Sequence, residues 1–236
     1  ISIKPDYAEA YSNMGVALKD KNELQKAIDA FNKCISLKPS YAEVYYNKGN
    51  ILHDQKKYLE AIVNYDKCIS LNPDYADVYF NKGVAFNDLG MLDKAIKVWK
   101  KCILLRPNNH VTYNNLGNAL KNQGKRVEAI HYYNKALLIK PDYAVALSNM
   151  GIVLKDQGKY DEAIDALEKA ILLNPNYAPA YNNLAVTLKR QNKINESITA
   201  YSKALSLKPD YENPRAEKLL QQANICDWDI PEEENK

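Results

Sequence analysis

The stretch Ala27-Ile28-Asp29-Ala30-Phe31-Asn32-Lys33-Cys34-Ile35-Ser36-Leu37-Lys38-Pro39 decides the fold of this chain. Its apolar residues return every three or four positions, which is the period of a helix with one buried face. Pro39 ends that helix, because proline lacks an N–H group and moves the preceding residue out of the helical region. A proline stands at the same point every 34 residues, which predicts a stack of one repeated helical unit. These prolines are Pro5, Pro39, Pro73, Pro107, Pro141, Pro175 and Pro209.

The residue after each proline predicts the start of another helix. It is always aspartate, asparagine or serine, the types preferred as N-caps, at Asp6, Ser40, Asp74, Asn108, Asp142, Asn176 and Asp210. That helix is expected to end at a turn in the left-handed conformation, which glycine and asparagine tolerate and for which Lys56 is a poor fit. The predicted turn residues are Asn22, Lys56, Gly90, Gly124, Gly158 and Asn192.

Small residues in register indicate that the two helices of each repeat approach closely. A glycine inside a helix costs about 1 kcal/mol relative to alanine, yet five repeats carry one at the same position and Ala185 replaces it in the last. A bulky residue of the second helix is expected to fill the space beside it. The glycines are Gly15, Gly49, Gly83, Gly117 and Gly151, and the bulky residues are Phe31, Tyr65, Trp99, Tyr133, Leu167 and Tyr201.

The pattern Tyr-x-Asn-x-Gly-x-x-Leu, followed by Ala-Ile, an aromatic residue and a closing proline, resembles the tetratricopeptide repeat. The resemblance implies an all-α fold, a right-handed α-solenoid of antiparallel helix pairs whose first helices line a concave groove. It predicts the tail of a preceding repeat at 1–7 and six repeats at 8–211. A capping helix is expected at 212–225, and a tail or junction to a further domain at 226–236.

Composition narrows the class of partner. The 236 residues carry a net charge of only +3 spread over both signs, which argues against a nucleic-acid partner. No apolar run reaches the roughly 20 residues of a membrane span, so no membrane partner is expected.

Cys34, Cys68 and Cys102 share one column with alanines of other repeats and are predicted to be buried core residues. Stacked helices lie about 8–10 Å apart, too far for disulfides, and reduced cysteines predict a cytoplasmic, intracellular location.

Nothing in the sequence indicates catalysis, a cofactor or a metal. All eight glycines are used by the repeat, so no phosphate-binding loop remains. His53, His110 and His131 occupy different repeat positions, and no pair of ligands has the spacing of a metal site. The segment is therefore predicted not to be an enzyme.

One position of the first helix is asparagine in all six repeats. An asparagine amide offers both a donor and an acceptor, so a series of them is expected to hold the backbone of an extended peptide whatever its sequence. The alternative is that asparagine is common at this position in such repeats and was copied by duplication. The candidate residues are Asn13, Asn47, Asn81, Asn115, Asn149 and Asn183.

Charged residues flank this series. One helical turn earlier, the first three repeats carry Glu9, Glu43 and Asp77, and the last three carry Val111, Val145 and Pro179. Further along the same helices stand Lys121, Lys155 and Lys189. These charges either tune which peptides bind or are simply solvated.

The stretch Ile225-Cys226-Asp227-Trp228-Asp229-Ile230 resembles the junction between repeats and catalytic region in O-linked N-acetylglucosamine transferases. The resemblance implies that the repeats are the substrate-recruiting arm of a larger glycosyltransferase and that the asparagines grip protein substrates. Two alternatives remain: Trp228 only seals the last repeat, or the chain is a general scaffold or self-association module.

Overall fold

The computed structural model describes residues 7–211 and Glu217, and those residues form helices and turns without a strand. Helix pairs α1 with α2, α3 with α4, α5 with α6, α9 with α10 and α11 with α12 pack against each other. The all-α repeat fold is thereby confirmed. The helices are α1 Ala8–Asp20, α2 Leu24–Leu37, α3 Ala42–Asp54, α4 Tyr58–Leu71, α5 Ala76–Asp88, α6 Leu92–Leu105, α7 His110–Asn122, α8 Arg126–Ile139, α9 Ala144–Asp156, α10 Tyr160–Leu173, α11 Ala178–Arg190 and α12 Ile194–Leu207.

The chain divides into two compact units, Ile1–Ala119 and Leu120–Lys236, called here the N-terminal half and the C-terminal half. In the N-terminal half, α2 also packs on α3 and α4 on α5, and in the C-terminal half α8 packs on α9 and α10 on α11. Each repeat therefore shares its core with the next one in the same half. The predicted boundaries at 1–7, 212–225 and 226–236 stay predictions, because these segments lie outside the described residues except for Tyr7 and Glu217.

The turns between paired helices have the backbone conformation that the sequence predicts. Asn22, Lys56 and Asn192 have φ angles of 60°, 61° and 61°, and Gly90, Gly124 and Gly158 have 71°, 76° and 77°. Lys56 adopts this left-handed conformation although its side chain disfavours it. The second repeat therefore carries local strain that glycine or asparagine relieves in the others.

The predicted N-caps of the described first helices are wrong by one residue, whereas the helix expected after Asp210 lies outside the described residues. Tyrosine occupies the N-cap of α1, α3, α5, α9 and α11, and no side chain caps these helices. Within residues 7–211, the residue after the closing proline of a repeat lies instead inside a β-turn: Tyr41 N–H donates to the Lys38 carbonyl at 3.1 Å across Pro39 and Ser40, and proline favours this turn position. In the fourth repeat Asn109, rather than the expected Asn108, accepts a hydrogen bond from Thr112 N–H at 3.2 Å.

The glycines of the first helices lie where the paired second helix approaches most closely. A Cβ atom on Gly49 would lie 2.6 Å from Tyr65 Cε1, and one on Gly151 would lie 2.7 Å from Leu167 Cγ. The bulky residues predicted to fill this space are at most 2% exposed in every repeat. Glycine is therefore required where the opposing side chain reaches the helix backbone.

The cysteine column belongs to the core, as predicted. Cys34, Cys68 and Cys102 are free thiols that are at most 1% exposed. Burial raises the pKa of all three thiols, that of Cys68 to about 11. They are neutral, packed side chains at physiological pH.

Candidate functional site

The inner face is the surface formed by the first helices of successive repeats. In the N-terminal half α1 contacts α3 and α3 contacts α5, and in the C-terminal half α9 contacts α11. All six predicted asparagines lie on first helices, one on each. Asn13 is exposed, and the other five are half-buried.

Asn81 is held by the preceding repeat. Its Nδ2 group donates to Asn50 Oδ1 at 2.8 Å and to Tyr46 OH at 3.2 Å, both on α3. Tyr65 OH, from α4, donates to the same Asn50 oxygen at 2.9 Å. The donor of Asn81 thus ties two repeats together, while its Oδ1 atom accepts no hydrogen bond from the described residues.

Asn183 repeats this arrangement in the C-terminal half. Its Nδ2 group donates to Ser148 Oγ at 3.1 Å, on the first helix of the preceding repeat. Asn13, Asn47 and Asn115 differ, since their side chains make no hydrogen bond to any described residue. The asparagine series therefore contains members with one engaged group and members with both groups available.

A small polar pocket lies beside Asn81 in the N-terminal half. Its volume is about 140 Å³, and Asn50, His53, Asp54, Tyr65, Asn81 and Val84 line it. His53 Nε2 lies 3.0 Å from Asp88 Oδ2, so the imidazole links α3 to the end of α5. The sequence did not reveal this pocket, because repeat columns do not show that the side chains of Asn50 and His53 converge.

The three predicted acidic residues have different surroundings. Arg106 donates two hydrogen bonds to the Asp77 carboxylate, at 2.5 and 3.0 Å. The positive charge of Arg106 therefore offsets the negative charge of Asp77. Tyr7 OH donates to Glu9 Oε2 at 2.8 Å, and Glu43 is exposed. The sequence did not reveal the Arg106 pair, which joins residues 29 positions apart.

The predicted lysines lie in the C-terminal half, each half-buried. Burial lowers the pKa of Lys121, and the nearby Asp156 opposes that effect. Lys155 Nζ lies 3.2 Å from Asp156 Oδ1, and Lys189 Nζ lies 2.5 Å from Glu217 Oε2. These lysines are therefore partly neutralised by carboxylates of the chain itself.

Two further features of the described residues bear on the class of site. Within residues 7–211 and Glu217, no group of three or more His, Cys, Asp and Glu side chains is arranged to hold a metal ion. No helix in this part of the chain is long and apolar enough to cross a membrane.

Similar structures share the fold at low sequence identity. YrrB, described as a TPR protein with an unusual peptide-binding site, is 24% identical with a TM-score of 0.64, over 81% of this chain and 98% of its own. The Pseudomonas aeruginosa protein pilF is 17% identical with a TM-score of 0.74, over 92% and 97% of the two chains. The APC/C hetero-tetramer Cut9–Hcn1 contains a chain that is 21% identical with a TM-score of 0.72, over 92% of this chain and 43% of that one. No curated protein matches.

Family models match along nearly the whole described chain. Models of the tetratricopeptide repeat match residues 8–41, 30–63, 76–109, 109–173 and 142–210, and a TPR repeat model matches residues 49–90. Together they extend from residue 8 to residue 210, in agreement with the repeat pattern and the helix pairs. The chain belongs to the tetratricopeptide repeat family.

Proposed function

We propose that this chain is a protein-interaction module that binds extended peptide segments on the inner faces of its repeats. The observation that carries the proposal is the asparagine on every first helix, together with its hydrogen bonding. At Asn81 and Asn183 the amide N–H groups are engaged with the preceding repeat, whereas Oδ1 has no donor among the described residues. A peptide backbone N–H group is the natural donor for such an oxygen.

Hydrogen bonds within the chain fix the amide group of some asparagines and leave that of others available. A side chain whose Nδ2 group is fixed presents its oxygen in one orientation, which reduces the entropy lost on binding. Asn47 and Asn115 have no such bond and offer both a donor and an acceptor. Since a backbone hydrogen bond contributes about 1 kcal/mol net, several asparagines must act together. Recognition of this kind depends on an extended backbone and only weakly on peptide sequence.

Charge around the inner face adds a preference between peptides. In the N-terminal half Glu43 is exposed and unpaired with any described residue, whereas Arg106 neutralises Asp77. In the C-terminal half Lys121 supplies a cation that forms no ion pair with any described residue, whereas Asp156 and Glu217 partly neutralise Lys155 and Lys189. We expect the N-terminal half to favour basic peptide segments and the C-terminal half to favour acidic ones.

The test uses asparagines that contribute no hydrogen bond to the fold. Peptides are first selected from a random displayed library on the wild-type protein, and the affinity of the tightest one is then measured. Asn47→Ala and Asn115→Ala together should weaken binding by roughly 25-fold, about fivefold for each lost hydrogen bond. Helicity and melting temperature should not change, because neither side chain has a partner among the described residues.

Two controls make the result specific. Asn195→Ala replaces an exposed asparagine on a second helix and should leave binding unchanged. Asn81→Ala should weaken binding and also lower stability, because it removes the contacts to Asn50 and Tyr46. Wild-type affinity in the Asn47 and Asn115 double variant would contradict the proposal.

A finer proposal joins this module to a glycosyltransferase whose protein substrates it recruits. It rests on the resemblance of Ile225–Ile230, residues outside the described part of the chain, and the family and structural matches add no support to it. Sequencing the parent gene beyond Lys236 tests it directly, since a nucleotide-sugar transferase domain is the expected result and another kind of domain refutes it. The competing proposal, self-association, predicts a sedimentation coefficient that rises with protein concentration.

A further inference from the structure

A second cleft lies in the C-terminal half, away from the asparagine series. It runs between α8 and α10, the second helices of two successive repeats, and α9 forms its base. Its volume is about 330 Å³, and its apolar lining consists of Ile130, Leu147, Met150, Leu154 and Ala166. This volume falls at the lower end of the range of ligand-binding clefts, about 300–1,000 Å³.

The sequence explains why the chain leaves a gap here. The position of Leu147 is occupied by tyrosine in every other repeat, so this repeat lacks one aromatic ring. The small side chain of Ala166 widens the gap, since the preceding repeat has Tyr132 at that position. The tyrosines are Tyr11, Tyr45, Tyr79, Tyr113 and Tyr181.

Polar bridges span the corresponding places in the N-terminal half. Lys48 Nζ donates to Asn32 Oδ1 at 2.8 Å between α3 and α2, and Lys82 pairs with Asp66 between α5 and α4. At the cleft, the lysine position is Met150, which has no group to make such a bridge. The cleft between the fourth and fifth repeats thus lacks both the aromatic ring and the polar bridge.

We propose that this cleft accepts one aromatic side chain of a partner protein, with a basic residue beside it in the partner. The aromatic preference follows from the missing tyrosine ring, and Met150 offers a flexible thioether that packs well against ring edges. None of the six asparagines of the first helices lines this cleft, so the proposal stands independently of the function proposed above.

The basic neighbour follows from the charge at the rim. Glu162 and Asp165 line the cleft together with a single cation, Lys169. Glu162 Oε1 already lies 3.8 Å from Lys159 Nζ. Asp165 is exposed and forms no hydrogen bond or ion pair with any described residue. A cation on the partner therefore has an available carboxylate beside the apolar cleft.

Phenethylamine, an aromatic ring with an ammonium group, is a suitable probe. The chain has three methionines, so isotopic labelling of their methyl groups gives three NMR signals, of which Met14 and Met91 serve as internal controls. We expect a saturable shift of the Met150 signal alone. 3-Phenylpropionate, which carries a carboxylate instead, should bind about fivefold more weakly, and Asp165→Asn should remove this difference.

Two variants close the cleft with residues that other repeats already use. Leu147→Tyr supplies the missing ring. Ala166→Val introduces the larger side chain that the third repeat has at the same position, Val98. Each substitution should lower the affinity for phenethylamine at least about tenfold. Leu138→Tyr changes a leucine of α8 that is 76% exposed and should have no effect. No shift of Met150 with wild-type protein, or equal affinity in folded Ala166→Val protein, would overturn the proposal.

Discussion

Tyr65 and Tyr201 occupy the same repeat position but have different hydrogen bonding. Both rings are 1% exposed. The Tyr65 hydroxyl donates to Asn50 Oδ1 at 2.9 Å, whereas the Tyr201 hydroxyl is buried and has no hydrogen-bond partner among the described residues. An unsatisfied buried hydroxyl costs free energy, while a satisfied one contributes a little.

Replacing these two tyrosines by phenylalanine should therefore change stability in opposite directions. Tyr65→Phe should lower the free energy of unfolding by about 1 kcal/mol, because Asn50 loses a donor. Tyr201→Phe should raise it by about 1 kcal/mol, because it removes a buried hydroxyl that none of the described residues satisfies. Urea unfolding followed by circular dichroism measures both, and a loss of stability in Tyr201→Phe would contradict the expectation.

At the level of single residues, the sequence predicted on which helix a side chain lies better than it predicted its hydrogen-bond partners. Repeat columns placed all six asparagines on first helices, since a column fixes the helix face. They did not show that Asn81 donates to Asn50 and Tyr46, which depends on side-chain rotamers in another repeat. The pair between Asp77 and Arg106 was missed for the same reason.

At the level of elements, helix ends show both the strength and the limit of sequence reasoning. The left-handed turns were predicted correctly because one backbone conformation favours glycine and asparagine. The helix starts were misplaced by one residue because aspartate, asparagine and serine favour β-turns as well as N-caps. Proline at the preceding position selects the turn in this chain.

Lys56 offers a stability test of this turn. Its φ of 61° should cost about 1–2 kcal/mol for a residue with a side chain. Lys56→Gly should therefore raise the free energy of unfolding by about 0.5–1 kcal/mol, after subtracting the entropy that glycine loses on folding.

Lys67→Gly is the matched control for this substitution. It places glycine in the interior of the neighbouring helix α4, at an exposed lysine, and should lower stability by about 1 kcal/mol. Denaturant midpoints compare the two variants. Equal destabilisation by both would show that the turn at Lys56 is not strained.

At the level of the whole molecule, the 34-residue period is sufficient to predict an all-α repeat fold. Each repeat must bury its apolar face against a neighbour, so regular spacing implies stacking. The cleft between α8 and α10 lay beyond this reasoning, since it arises where one repeat departs from the common pattern. The division into two halves was likewise not visible in an uninterrupted period.

Buried tyrosines in both halves predict sensitivity to alkali. Burial raises the pKa of Tyr201 to about 12 and places those of Tyr65 and Tyr133 higher still, whereas tyrosine in an unfolded chain titrates near 10. The unfolded state therefore loses protons first. Their stabilising effect is complete below about pH 10 and is lost as pH rises through the folded pKa values, by about 1.4 kcal/mol per pH unit for one such tyrosine.

Circular dichroism and phenolate absorbance recorded together against pH test this expectation. Helicity should fall above about pH 10, and phenolate from the buried tyrosines should form in the same transition. Full ionisation of all 18 tyrosines with helicity retained would contradict it.

The cysteine column makes the two halves chemically distinguishable. The first three repeats each bury one thiol, at Cys34, Cys68 and Cys102, while alanines hold that position in the last three. A thiol reagent attacks the thiolate, so these sulfurs react only when their helix pair opens to solvent. With Cys226 replaced by serine, the labelling rate of each remaining cysteine measures how often the helix pair of its repeat opens to solvent. Comparing the three rates gives the order in which successive repeats of the N-terminal half open under native conditions.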